Sequence, residues 1–109
     1  FYMPQELAAA RSLLMAKLKP FAPPEPIQGA IHLGVSWAFS RPKSVRGCWK
    51  TSKPDTDNLQ KMLKDVMTDC GFWKDDAQVC SENIEKIYHD DDEKHGILIL
   101  IRPLEGDKK

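Results

Sequence analysis

Cysteine is scarce in this chain: Cys48, Cys70 and Cys80 are the only three, and no two stand at CxxC spacing. That argues against a disulfide framework or a zinc site and fits a reducing cytoplasm. No stretch is long or apolar enough to span a membrane, and no signal peptide is visible. Net charge is absent as well. The 16 Lys and Arg balance the 16 Asp and Glu, so the total argues for no partner, but the distribution does. Residues 1–53 hold eight basic side chains against two acids, Glu6 and Glu25, whereas residues 54–109 hold eight against fourteen. A basic half beside an acidic half suits a protein that grips phosphates with one region and metal ions with the other. The 109 residues allow one domain with a modest core. The chain opens on Phe1 rather than Met and enters a helix at once, which suggests residues missing upstream.

The densest chemistry lies in Lys53 to Val79, KPDTDNLQKMLKDVMTDCGFWKDDAQV. Pro54 biases the preceding residue away from helix, and Asp55, Thr56 or Asp57 can each cap a helix N-terminus. A helix is expected from about Asp57. Leu59, Met62, Leu63, Val66, Met67 and Cys70 recur at helical spacing as one apolar stripe, and Gly71 supplies a left-handed C-terminal cap. Asp57, Lys61 and Asp65 follow in one-turn steps along the polar side. Asp75 and Asp76 come after Trp73 and Lys74 and lead into a strand.

Carboxylates that converge repel one another unless a cation sits between them. Mg²⁺ suits that role, because it takes a few carboxylates, keeps several waters and accepts phosphate oxygens in the remaining positions. Asp55 and Asp57 can reach one ion together, with Asp75 or Asp76 as a third ligand. Such an ion can activate a water and shield charge on a phosphodiester, and Lys61 can stabilise that charge or orient the nucleophile. Taken singly, each acidic cluster also reads as a helix cap or a solvated strand entrance. Two other acidic motifs fail: an EF-hand loop would need Gly and Glu where Gln60 and Val66 stand, and a phosphatase-type DxD would follow a buried strand.

The rest of the chain supplies scaffold and charge. Pro4 suits a first helical turn, and Leu7, Ala10, Leu14 and Leu18 recur at helical spacing, with Leu13 and Met15 widening the apolar face. Pro20 to Pro26 reads as a stiff connector. Ile27 to Phe39 is the clearest strand, with Ile31, Leu33, Val35, Trp37 and Phe39 alternating with small or polar residues; His32 falls on the second face as a bystander. Residues 41–53 carry Arg41, Lys43, Arg46, Lys50 and Lys53 without an acid, a loop able to neutralise several phosphates, and Trp49 can stack on an unpaired base. Val79 to Tyr88 alternates poorly, as an edge strand would. His89 to Gly96, HDDDEKHG, has two histidines around its acids but the composition of a hairpin loop. Ile97 to Ile101 reads as a strand covered on both sides, ended by Pro103, and Leu104 to Lys109 as a loose tail.

The run K-P-D-x-D-N-L-x-K, followed after a helix by W-K-D-D-x-Q-V, resembles the RusA family of Holliday junction resolvases of bacteria and prophages. Lys53, Pro54, Asp55, Asp57, Asn58, Leu59, Lys61, Asp65, Trp73, Asp75, Asp76, Gln78 and Val79 fall in register. The resemblance implies a homodimeric, Mg²⁺-dependent endonuclease, with Mn²⁺ as a possible substitute, that resolves four-way junctions by paired nicks in DNA recombination and repair. It assigns Asp55, Asp57 and Asp76 as catalytic metal ligands and Lys61 as the essential lysine, leaves Asp75 undecided, and implies no nucleotide cofactor. The expected fold is α+β: a single RusA-like domain over residues 1–109, with two helices on a mixed sheet and a first strand expected upstream. Two other readings remain: a less selective nuclease acting on flaps or other branched DNA, and a junction-binding protein without catalysis.

Overall fold

Strict alternation makes Ile31–Ser40 (β1) the centre of the sheet in the computed structural model, which describes residues 4–90 and 96–104. Ile31, Leu33 and Val35 are buried on one face, where they meet the apolar stripe of the helix Thr56–Cys70 (α2). Leu59, Leu63, Val66 and Met67 of α2 are all buried, each contributing roughly 1.5–3 kcal/mol relative to exposure. The first helix, Pro4–Leu18 (α1), adds Leu14 to the same core, with Met15 and Leu18 packed against it.

Val79–His89 (β2) pairs with β1 in parallel, and Gly96–Pro103 (β3) pairs with β1 antiparallel, giving the order β2-β1-β3. Parallel neighbours need a crossover, and α2 supplies it. The domain is therefore α+β, with two α-helices and a mixed three-stranded sheet among the described residues. Among the described residues no helix is long and apolar enough to cross a membrane.

Three sequence expectations need correction. Residues 27–30 do not extend β1: Ile27 forms an isolated bridge with Trp73, and Gly29 turns the chain at φ 78°. β2 and β3 do not form a hairpin, because each pairs with the opposite edge of β1; residues 91–95, which hold most of the acidic run, lie outside the described residues. Among the described residues, β3 is covered on one side only. Leu98 and Leu100 face away from the helices opposite Ser36 and Gly34, and are 74% and 61% exposed. Five apolar residues in a row cannot report which face is covered. The edge assignment of β2 is correct, although Cys48–Lys50 lies along its outer side through Lys50 N–H to the Lys86 carbonyl (3.1 Å) and Tyr88 N–H to the Cys48 carbonyl (2.7 Å). His32 is satisfied, as expected: its ring nitrogens meet Ser81 Oγ at 2.8 Å and Asn83 Oδ1 at 3.1 Å.

Gln60 was not singled out by the sequence. It is 4% exposed, and neither polar atom of its amide finds a protein partner among the described residues. Desolvating an amide without a compensating bond costs about 1–3 kcal/mol. Gln60→Met keeps the length and removes the polar atoms, so it is expected to raise stability by about 1 kcal/mol. The check is a urea midpoint; a lower midpoint would mean that a water or another group satisfies the amide.

Candidate functional site

The first acid pair sits where loop becomes helix. Asp55 occupies the N-cap position of α2, and its carbonyl accepts the Leu59 N–H at 3.1 Å. Its side chain makes no capping bond and instead accepts from Lys53 Nζ at 2.7 Å. That hydrogen bond, with the charges of Lys53 and Lys86, holds the Asp55 carboxyl below its ordinary range against the opposing effect of desolvation. Asp57, in the first turn, is exposed. The Asp55 carboxylate is therefore free of the capping duty that an aspartate in this position usually performs.

The second acidic cluster divides by role. Asp75 caps the 3-10 turn Asp76–Gln78: its carboxylate accepts the Ala77 N–H at 2.8 Å, while Gln78 Oε1 accepts the N–H groups of Lys74 and Asp75. Gln78 Nε2 also donates to the carbonyls of Ile27 and Gly29. Asp75 and Gln78 thus shape the turn, and Asp76 is turned toward α2. There Asp76 Oδ1 accepts from Thr68 Oγ1, and Thr68 Oγ1 accepts the indole N–H of buried Trp73 at 2.8 Å. Asp65 lies within hydrogen-bonding reach of Asp76. Desolvation, followed by that hydrogen bond and the charge of Asp76, holds the Asp65 carboxyl above its ordinary range.

One chain therefore presents two acid pairs rather than one triad. Asp57 and Asp65 stand two turns apart on α2, about 12 Å of rise, and Asp76 sits with Asp65. Among the described residues, no three His, Cys, Asp or Glu side chains are grouped closely enough to hold a metal ion. The donors are hard oxygens throughout, which fits Mg²⁺ or Mn²⁺, and an ion that keeps most of its waters needs only one or two carboxylates from each source. Lys61 is exposed between the pairs and makes no ion pair among the described residues.

The five basic candidates are not equivalent. Lys43 and Arg46 project into solvent, whereas Arg41 is half-buried and pairs with Asp90 at 3.1 Å. Lys53 is engaged by Asp55, and Lys50 lies over the rings of Phe39 (5.0 Å) and Tyr88 (5.5 Å) while donating to Ser52 Oγ. Trp49 is 61% exposed although its backbone is held in a bridge to Ile87. The sequence also missed Thr68 and Lys86. A threonine inside a helix and a lysine in an edge strand carry no pattern that marks them.

Carboxylate pairs beside a basic loop on a small α+β domain are the equipment of an enzyme that hydrolyses phosphodiesters. The chain belongs to the RusA endodeoxyribonuclease family: the profile "Endodeoxyribonuclease RusA" matches residues 1–102. It is also similar to "Crossover junction endodeoxyribonuclease rusA" of Lactococcus phage r1t, at 36% identity over 91 residues, covering 81% of this chain and 67% of the relative.

Proposed function

We propose that this chain is a divalent-metal-dependent endodeoxyribonuclease that resolves four-way DNA junctions by paired symmetric nicks. It would act as a homodimer in the cytoplasm, in phage or prophage recombination and repair. The observation that carries the reading is the Asp55 carboxylate at the start of α2, which makes no capping bond, with exposed Asp57 two residues on. Family membership and the phage relative's name support the substrate class.

Asp55, Asp57 and Asp76 would hold the ion, which when bound supplies an activated water and charge relief at the scissile phosphate. Lys61 offers its ammonium to the phosphate oxygens as their charge grows. Exposed Lys43 and Arg46 grip the backbone of the arms, with Arg41, Lys50 and Lys53 shaping the same loop, and Trp49 presents an aromatic face to an unpaired base. A symmetric dimer sets two such sites on opposed strands. The acids of one chain form two separate pairs, so closing them on one ion requires either movement of the Asp76 turn or carboxylates from a second copy. Mn²⁺ binding followed through a dilution series that dissociates the dimer separates these routes.

The direct test is a synthetic four-way junction incubated with Mg²⁺, which should yield symmetric nicks; flaps and linear duplex run beside it measure selectivity. No nicking with any divalent ion would leave only junction binding. If the basic loop contacts phosphates, log affinity should fall against log salt with a slope of about 0.9 per phosphate contacted. Lys43→Ala with Arg46→Ala should then flatten the slope by up to about two such contacts. An unchanged slope would remove these residues from the interface.

A further inference from the structure

We propose that Lys86 is a positioning residue for the first acid pair, clamping the backbone that delivers Asp55 to the site. The inference rests on the nuclease reading and adds to it a residue outside the sequence motif.

Lys86 stands in β2 opposite Trp37, which places it on the helix-facing side of the sheet with Ile84 and Tyr88. A lysine is costly on that side unless its ammonium is satisfied. Here it is: Lys86 Nζ donates to the Ser52 and Pro54 carbonyls, both at 2.8 Å, just before Asp55. The Lys86 carbonyl also accepts the Lys50 N–H, so both ends of residues 50–54 are tied to one position in β2. Between those ties, Thr51, Ser52 and Lys53 are exposed, and the Lys53 ammonium is spent on Asp55 itself. The clamp thus links the sheet to the short segment on which the Asp55 carboxylate depends for its place.

Two effects of Lys86 oppose each other, and their signs distinguish the roles. Its hydrogen bonds fix the carbonyls just before Asp55, whereas its positive charge repels an incoming cation. If charge alone mattered, deleting the ammonium would tighten binding of a divalent ion. If position matters, deletion releases residues 51–55 and weakens binding, much as loss of an outer-shell partner weakens a metal site by about 10–100-fold.

The experiment compares wild type, Lys86→Met and Lys86→Arg in the full chain. It reads Mn²⁺ binding by electron paramagnetic resonance, hydrogen exchange over residues 50–57, and single-turnover junction cleavage against Mg²⁺. Lys86→Met should bind Mn²⁺ about tenfold more weakly and need correspondingly more Mg²⁺ for half-maximal cleavage. It should also exchange faster at Asp55 and Thr56, with junction binding in EDTA retained. Lys86→Arg, which keeps the donors, should restore most of each property. Unchanged or tighter Mn²⁺ binding with wild-type exchange in Lys86→Met would overturn the proposal. A wild-type protein that cleaves no branched DNA would instead sink the nuclease reading, and the exchange comparison would still decide whether Lys86 holds the loop.

Discussion

Asp57→Asn is expected to bind a four-way junction at least as tightly as wild type and to cleave it about 10²–10³-fold more slowly, the range supplied by one well-placed electrostatic group. The side chain is exposed in the first turn of α2, so the change leaves the core intact. Losing an acid near a helix N-terminus costs only about 0.3–1 kcal/mol, too little to unfold the domain. Removing a negative charge beside DNA also lowers repulsion, which is why binding should not suffer. Binding measured without divalent ions and cleavage measured with Mg²⁺ separate the two properties. Cleavage at the wild-type rate would take Asp57 out of the machinery.

Thr68→Val is expected to slow cleavage by about 10–100-fold while leaving every acidic residue in place. Valine matches the shape of threonine and deletes the hydroxyl that both donates to Asp76 and accepts from Trp73. Asp76 then loses the bond that holds one carboxylate oxygen toward α2. The buried Trp73 indole loses its acceptor, at a stability cost of about 1–3 kcal/mol. Thr68→Ser keeps the hydroxyl and should recover most of the cleavage rate. Trp73→Phe provides the complementary test, since it removes the donor but leaves Thr68 free to hold Asp76. If Thr68→Val cleaves normally with an unchanged Mg²⁺ requirement, Asp76 does not need this support.

The helix bearing the first acid pair was legible because several local signals agree. Pro54 and Asp55 mark its start, the apolar stripe gives its period, and Gly71 closes it at φ 90°. β1 was legible through its alternation, but its first four expected residues were not strand, because Gly29 and the amide of Gln78 turn them. The Asp75–Asp76 pair could not be divided from sequence. Both are acids at one turn, and only the reciprocal bonds with Gln78 make Asp75 the cap. The basic loop reads as five equivalent charges, whereas folding leaves Lys43 and Arg46 exposed, pairs Arg41 with Asp90 and places Lys50 over two rings.

What the sequence determined by itself is local: helix limits, apolar periods, the acidic and basic segments and the motif that marks the family, all set by residues a few positions apart. The tertiary structure decided which strands are neighbours, which face of β3 is bare and which aspartate caps a turn. It also brought Thr68 and Trp73 to Asp76 and Lys86 to the loop before Asp55. These pairings join hydrogen-bonding groups from separate elements, and such groups have no period or spacing along the chain until the core places them.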